Sequence, residues 1–170
     1  MTFGSVAAMS DTPSFDSARF RTVLGHFPTG VTVVTAAPDG IPVGLAVGSF
    51  SSASLEPPLV AFFPGRTSSS WPRIEAAGSF CVNILAEDQE DVSRRFASKE
   101  EDKFVGLGWS AAASGSPLLT GALAWIDCDI ESVLEAGDHY CVLGRVRDLG
   151  VAQEGAPLLF YRGGYGRFAG

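Results

Sequence analysis

The residues best suited to chemistry stand in the run Gly44–Ser70, where two clusters of small and hydroxylated residues flank one apolar strand. The first cluster, Ala46–Ser54, has the sequence AVGSFSSAS. Because Gly48, Ala53 and the four serines place little bulk between the main chain and a ligand, backbone amides can come close to a planar heterocycle here. The first cluster is therefore a candidate binding site for a flat ring.

The second cluster is a candidate phosphate site. Arg66 supplies a permanently charged fork of hydrogen-bond donors, and the run Thr67–Ser70 adds hydroxyls and amides beside a predicted short helix over residues 71–77. The N-terminus of a helix attracts anions. The same residues also fit an ordinary surface loop capped by Ser70, and composition alone does not decide between the two interpretations.

Composition and charge restrict the class of protein. With 170 residues, 46% of them hydrophobic, the chain is long enough for one well-packed domain. We assign residues 15–170 to that domain and residues 1–14 to a disordered tail. The net charge of −7, without a block of basic residues, argues against nucleic-acid binding.

The cysteines and histidines indicate neither a disulfide framework nor a metal site. Cys81, Cys128 and Cys141 are odd in number, widely spaced and set in apolar runs, so we expect buried, reduced thiols in a cytoplasmic protein. The two histidines have no carboxylates at ligand spacing, which argues against a bound metal. We also expect no export signal and no membrane span.

Hydrophobic periodicity predicts a mainly β chain with flanking helices. The predicted helices cover residues 15–27, 71–77 and 87–97. The predicted strands cover residues 31–37, 41–50, 59–63, 80–85, 122–133, 140–149 and 158–161, with a hairpin turn at Pro38-Asp39-Gly40. Because strands and helices do not alternate, this order argues against a doubly wound fold and for a closed antiparallel barrel.

Six short segments in a fixed order carry a resemblance to a known family. They are FPTGVTVVT at 27–35, GSFSSASLEPPLV at 48–60, FCVNILAEDQ at 80–89, RRFA at 94–97, GDH at 137–139 and PLLFYRGGY at 157–165. On these segments the chain resembles the short-chain flavin reductases, the reductase components of two-component flavin-dependent monooxygenases. The resemblance covers about residues 20–165.

The resemblance implies a fold and an activity. The implied fold is an FMN-binding split β-barrel, a Greek-key antiparallel barrel, which works as a homodimer with flavin near the subunit interface. The implied reaction is hydride transfer from NADH or NADPH to N5 of FMN, with FAD as an alternative flavin. Reduced flavin would then serve a partner monooxygenase.

The resemblance also implies roles for individual residues. His139 would orient the nicotinamide by hydrogen bonding and would not carry protons, because hydride transfer depends on the alignment of two rings. On the residues alone, a turn histidine that caps its hairpin is the simpler interpretation. The nicotinamide contacts implied are Gly137, Asp138, His139 and Tyr165. The flavin contacts implied are Thr29, Ala46, Val47, Gly48, Ser49, Ser52, Ala53, Ser54, Phe63, Gly65, Arg66, Thr67, Ser68, Ser69, Ser70, Asn83 and Phe96.

Two of these residues have structural alternatives. Asn83 would either fix a polar group near the flavin or bridge a strand to a loop. Phe96 would either cover the flavin from one side or pack in the core.

The chain departs from the family pattern in both clusters. Many members have G-M-T-x-N-S-F where this chain has Ala46 and Gly48, so backbone contacts would carry more of the flavin binding. Arg66 is the single arginine of the phosphate loop, which implies weaker binding of the FMN phosphate. No arginine pair stands in the sequence where it would recognise a 2′-phosphate, which favours NADH.

Two other functions use the same residues. One is an oxidoreductase that retains FMN and reduces an organic substrate directly. The other is a non-catalytic flavin- or heme-binding module, which His139 argues against.

Overall fold

The computed structural model describes residues 16–168, so the predicted disordered tail lies outside the described part of the chain. Three helices are present, α1 Ser17–Leu24, α2 Trp71–Ala77 and α3 Glu90–Ala97. Helix α1 begins where the Asp16 carboxylate accepts a hydrogen bond from the Arg19 amide, at 2.6 Å. Helix α2 ends at Gly78, whose φ of +70° is a conformation that glycine adopts without strain.

Twelve strands account for most of the remaining regular structure of residues 16–168. They are β1 Thr29–Gly30, β2 Thr32–Ala36, β3 Val43–Val47, β4 Ser51–Ser54, β5 Leu59–Phe62, β6 Ser79–Ile84, β7 Trp109–Ala111, β8 Pro117–Leu119, β9 Ala124–Ala136, β10 His139–Val151, β11 Leu158–Tyr161 and β12 Gly164–Arg167.

Seven strands form one antiparallel sheet in the order β3-β2-β6-β9-β10-β5-β4. No described ladder joins β3 to β4, so hydrogen bonding leaves the barrel open along that seam, and the chain crosses it in the short loop after Val47. Two small sheets accompany this one, β1-β11-β12 and β7-β8. The prediction of a mainly β, antiparallel split barrel with flanking helices is confirmed.

The apolar side chains form two clusters on either side of the sheet. The first fills the barrel and includes Phe62, Trp71 and Phe80, each 2% exposed or less. The second lies beneath α3 and includes Leu85 and Phe96. Strand β2 separates the two clusters, and all five of its residues are buried, which is why its sequence shows no polar alternation.

Most predicted elements are present, and the differences lie at their ends. The first helix is shorter than predicted, and α3 begins at Glu90 instead of residue 87. The side chain of Ser70 makes no capping hydrogen bond at α2. Strand β4 was expected to be part of a ligand-binding loop, and it is instead an exposed edge strand paired with β5. The short strands β1, β7, β8 and β12 were not predicted.

Candidate functional site

The turn that contains His139 is hydrogen-bonded to the loop that contains Arg66. The amide of Arg66 donates to the carbonyl of Asp138 at 2.9 Å, and the amide of Tyr140 donates to the carbonyl of Pro64 at 2.9 Å. Gly65 and His139 face each other across this bridge. A Cβ added to Gly65 would lie 3.8 Å from Nε2 of His139, so the imidazole lies over the backbone of this loop. Two segments 73 positions apart in sequence (139 − 66 = 73) therefore meet at one place.

The first cluster is joined to the same loop through Ser49. The Ser49 hydroxyl accepts a hydrogen bond from the backbone amide of Phe63 at 3.1 Å. Gly48 stands against Thr29, since a Cβ on Gly48 would lie 2.9 Å from Oγ1 of Thr29. These contacts connect a row of residues in space, namely Thr29, Gly48, Ser49, Phe63 and, through Gly65, His139. The structure thus brings four of the predicted flavin contacts close to the predicted nicotinamide contact His139.

His139 is oriented by the residue before it. Nδ1 of its imidazole lies 2.7 Å from a carboxylate oxygen of Asp138. This hydrogen bond holds the pKa of Asp138 below its ordinary value, with the charge of His139 adding to the effect. Because a carboxylate only accepts hydrogen bonds, Nδ1 carries the proton, and Nε2 is left to interact with a ligand. Gly137, at φ +66°, makes the turn that places this pair at the end of the β9–β10 hairpin.

Arg66 has two partners at the outer face of that hairpin. Its guanidinium lies 3.4 Å from a carboxylate oxygen of Glu135, and its central carbon lies 5.4 Å from the centre of the Tyr140 ring. The arginine side chain is 43% exposed. A phosphate that binds Arg66 would therefore compete with Glu135 for the same donors.

The predicted phosphate loop divides into two parts. The Ser68 hydroxyl accepts a hydrogen bond from the Trp71 amide at 3.2 Å, so Ser68 takes the capping role expected of Ser70. Ser70 is buried and lies 3.4 Å from the ammonium nitrogen of Lys103. Ser69 and Ser70 line a separate cavity of about 270 Å³ with Arg73 and Lys103. Gly65 and Arg66 thus lie with His139, whereas Ser69 and Ser70 face this cavity. The Thr67 side chain forms no hydrogen bond within residues 16–168.

Lys103 is an unanticipated buried cation at that cavity. Its ammonium also donates to the carbonyls of Phe96, at 3.0 Å, and Gly44, at 3.5 Å. Burial lowers its pKa, and the charge of Glu100 opposes that shift. The lysine links the end of α3, strand β3 and the start of α2. The sequence signal for it is weak, because a lysine in a polar run such as SKEEDK is usually solvated.

Ala46, Val47 and Gly48 line a small cavity of about 150 Å³ together with Phe160 and Tyr165. The Tyr165 hydroxyl is hydrogen-bonded to the hydroxyl of Ser93 at 2.8 Å, and the guanidinium carbon of Arg94 lies 4.8 Å from the ring centre. Tyr165 therefore packs on α3 and not on the turn that carries His139. Ser93 and Phe160 are missed by sequence reasoning, since neither interrupts the pattern of its own element.

Asn83 and Phe96 are interior residues in this structure. The Asn83 side chain donates to the carbonyls of Val33 and Pro117 and accepts from the Leu119 amide at 2.7 Å. Phe96 is 1% exposed and packs edge-to-face on Phe104, with ring centres 5.0 Å apart. The structural alternatives given for both residues describe these positions, and neither side chain has surface left for a flavin.

Ser52, Ala53 and Ser54 lie on the exposed edge strand β4. Ser52 pairs with Val60 and Ser54 with Leu59, and the irregularity between them leaves Ala53 without a direct partner in the ladder. Their described connection to the row of residues that ends at His139 is indirect and runs through β5. Their predicted flavin contacts stay predictions.

The cysteines of the described chain form no disulfide. Cys81, Cys128 and Cys141 are unpaired thiols, of which the first two are fully buried. Burial raises the pKa of Cys128 to about 12, with a smaller contribution from Asp127. Within residues 16–168, no group of three or more potential ligands could hold a metal ion. None of the described helices is long and apolar enough to cross a membrane.

Comparison with known proteins places these features in a family. The sequence model described as "Flavin reductase like domain" matches residues 24–169. A flavin reductase from Pseudomonas putida is 59% identical over 165 residues, which is 96% of this chain and 97% of the relative. The reductase subunit HsaB of a flavin-dependent monooxygenase from Rhodococcus jostii is 54% identical, over 95% of this chain and 81% of the relative.

A solved structure extends the comparison to the fold. The Streptomyces globisporus NADH:FAD oxidoreductase SgcE6, solved in complex with NAD and FAD fragments, superposes with a TM-score of 0.84 at 39% identity. The match covers 91% of this chain and 93% of the other. The fold of this chain is thus shared with a related enzyme.

Proposed function

The chain belongs to the flavin reductase-like domain family, and on that premise we propose that it is an NAD(P)H:flavin oxidoreductase that reduces FMN or FAD. One observation supports this function best: backbone hydrogen bonds join the turn at His139 to the Gly65–Arg66 loop. Ser49 and Gly48 lie next to that loop. This arrangement puts an oriented imidazole beside a surface of small residues. The split-barrel fold and a flavin as cofactor are common to the family.

The residues present fit a flavin. A side chain at position 48 would collide with Thr29, so only glycine fits there. The Ser49 hydroxyl accepts a hydrogen bond from the Phe63 amide. This surface is therefore made of backbone and short side chains. Such a surface can lie against a flat ring. Thr29, Gly48 and Ser49 would hold the ring, and Arg66 would bind the phosphate. When bound, the flavin supplies the acceptor for the hydride.

The role of His139 is to orient the nicotinamide. Because Asp138 fixes the proton on Nδ1, Nε2 is an acceptor whenever the imidazole is neutral, and the nicotinamide carboxamide offers an N–H group to such an acceptor. His139 would act through alignment of the two rings, which is the main protein contribution to a hydride transfer. Asp138 is a positioning residue in this scheme.

We infer two kinds of partner. A flavin-dependent monooxygenase would receive the reduced flavin, as the names of the relatives indicate for those proteins. A second copy of the chain would form a homodimer, as the family resemblance implies. The dimer is supported by apolar side chains left exposed on α1, where Val23 is 63% and Leu24 is 54% exposed.

The activity is tested by following NADH and NADPH oxidation under air with added FMN, added FAD and no added flavin. Oxidation that needs free flavin is expected for a reductase that supplies a monooxygenase. The variant His139→Ala should raise KM for the nicotinamide substrate about tenfold and leave FMN binding unchanged, because the acceptor of one hydrogen bond from the nicotinamide is lost. A yellow protein that oxidises neither nucleotide would overturn the proposal.

A further inference from the structure

Arg66 lies over one face of the β9–β10 hairpin, and two side chains of that face contact its guanidinium. Glu135 and Tyr140 are directly opposite each other in the ladder between the two strands. Because a cross-strand pair shares one face of a sheet, the Glu135 carboxylate and the Tyr140 ring stand side by side. The guanidinium of Arg66 lies 3.4 Å from a carboxylate oxygen and 5.4 Å from the ring centre.

The backbone of Arg66 is held at this position by the same hairpin. The Arg66 amide donates to the carbonyl of Asp138, and the Tyr140 amide donates to the carbonyl of Pro64, both at 2.9 Å. The freedom that remains to Arg66 is therefore in its side chain. Ordering a long arginine side chain in one rotamer costs conformational entropy. A partner that already holds the guanidinium removes this cost from ligand binding.

The ring of Tyr140 is itself held from the interior of the barrel. Its centre lies 6.1 Å from the centre of the Trp71 ring, and the two planes are tilted by 36°. Trp71 is 2% exposed and packs edge-to-face on Phe62, with ring centres 5.8 Å apart. Its indole nitrogen has no hydrogen-bond partner in the described part of the chain, so packing fixes this ring. A continuous aromatic stack thus supports the ring that faces Arg66.

The two partners of Arg66 have opposite effects on an approaching phosphate. The carboxylate of Glu135 takes up N–H donors of the guanidinium and repels a second anion. An aromatic ring attracts the cation through its negative π face and leaves the full positive charge in place. Tyr140 therefore holds the guanidinium in a state that can still bind an anion.

We propose that Tyr140 is a positioning residue for the flavin phosphate, because its ring holds the Arg66 guanidinium in place for that group. It thereby contributes to a preference for FMN over riboflavin, which has no phosphate. The inference rests on the proposed function, in which Arg66 binds the phosphate, and it gives Tyr140 no contact with the flavin. The two residues are 74 positions apart (140 − 66 = 74), so the sequence does not show the pair.

The test compares Tyr140→Leu and Tyr140→Phe with the wild type. Leucine removes the ring and keeps an apolar side chain against Trp71, whereas phenylalanine keeps the ring and loses only the hydroxyl. Tyr161→Leu is the matched control, since the guanidinium carbon of Arg162 lies 6.0 Å from the Tyr161 ring centre and Arg162 is not assigned to the phosphate. Flavin fluorescence quenching measures the affinities for FMN and riboflavin in each protein.

Tyr140→Leu should weaken FMN binding about fivefold and riboflavin binding less than about twofold, since only FMN uses the arginine that the ring holds. Tyr140→Phe and Tyr161→Leu should match the wild type for both flavins. An equal loss for FMN and riboflavin in Tyr140→Leu would make Tyr140 a structural residue. That result, an unchanged FMN affinity in Tyr140→Leu, or an equal FMN loss in Tyr140→Phe would overturn the proposal.

A second series keeps the shape of the ring and changes only its electrons. Phenylalanines with successively more ring fluorines replace Tyr140, and each fluorine makes the face of the ring less negative. FMN affinity should fall stepwise along this series, while riboflavin affinity stays constant. An FMN affinity that does not depend on fluorination would overturn the proposal even if Tyr140→Leu failed to fold.

The Arg66→Gln background shows whether Tyr140 acts through Arg66. Tyr140→Leu should weaken FMN binding by less than about twofold in this background, because the ring then has no cation to hold. A further fivefold loss, about the same as in the wild type, would mean that Tyr140 acts on the flavin by another route and would overturn the proposal.

These binding measurements are independent of turnover, so they separate the proposal from the proposed function. If the wild type binds FMN with the expected differences between variants and oxidises neither NADH nor NADPH, the reductase function fails and the role of Tyr140 stands. If the wild type reduces flavins and binds FMN no more tightly than riboflavin, the role of Tyr140 fails alone.

Discussion

Arg66 is the residue whose predicted role depends most on a partner that the sequence does not reveal. Glu135 lies 69 positions along the chain (135 − 66 = 69), and its carboxylate is 3.4 Å from the guanidinium of Arg66. The pair is exposed, so its contribution to stability is small. Its effect on ligand binding is larger in principle, because a phosphate must displace or share the carboxylate.

Arg66→Gln should weaken FMN binding about tenfold, since a charged hydrogen bond to the phosphate is lost. Glu135→Gln should tighten FMN binding by a few-fold, since the competing carboxylate is removed. Riboflavin, which has no phosphate, should bind both variants as it binds the wild type. Flavin fluorescence quenching measures the affinities for FMN and riboflavin in each protein. Arg147→Gln on β10 is the control. A matching loss of riboflavin affinity in Arg66→Gln would mean that Arg66 supports the fold and not the phosphate.

At the residue scale, the sequence supports a proposal only where the chemistry is local. Ser49 and His139 could be proposed because small residues and a G-D-H turn are visible in the sequence. The hydrogen bonds of the buried Asn83 could not be predicted, because its four partners come from β2 and from the segment at Pro117. The division of the phosphate loop was likewise hidden, since the cation that Ser70 meets is Lys103.

At the scale of elements, periodicity predicted the helices and long strands and failed on short ones. Helix α2 has the predicted bounds because Pro72 stands in its first turn and Gly78 ends it. Strand β4, with the sequence SSAS, carries no apolar alternation, since an edge strand with both faces exposed needs none. Strands β7 and β8 have three residues each, which is too few to show a period.

Strand β3 and helix α3 approach closely at Gly44, and this contact provides a test of how α3 is held. A Cβ at position 44 would lie 2.7 Å from the Phe96 ring and 3.1 Å from the carbonyl oxygen of Val34. Gly44→Ala should therefore lower the free energy of unfolding by about 1–3 kcal/mol, the usual cost of overpacking a core. Urea unfolding measures the change.

Gly166→Ala is the matched control for that experiment, because a Cβ there meets nothing within 4 Å. It should change the free energy of unfolding by less than about 0.5 kcal/mol. If the two alanine variants were equally stable, α3 would not be packed against β3 as described.

At the scale of the whole molecule, α1 is the element that this chain does not stabilise by itself. None of its eight residues is buried, although the sequence predicted an apolar stripe along it. A helix of two turns is not stable in isolation, so its position depends on the contacts at Gly25 and on whatever covers its apolar side. The sequence could predict the stripe, but it could not show that the stripe faces away from the core of its own chain.

The proposed homodimer would supply such a cover, and the loss of the dimer is measurable. Sedimentation should give a mass of about 36 kDa, twice the 17.8 kDa of the chain. Val23→Asp places a charge on the exposed stripe of α1, and it should shift the protein toward the monomer because an apolar contact becomes an unpaired charge. Ile41→Asp is the control, since Ile41 is 59% exposed at the opposite end of β3 from the flavin surface. If flavin lies near the subunit interface, FMN binding should weaken with Val23→Asp in proportion to the monomer fraction and stay unchanged with Ile41→Asp. A wild type that sediments at 18 kDa, or a Val23→Asp variant that remains fully dimeric, would remove α1 from the interface.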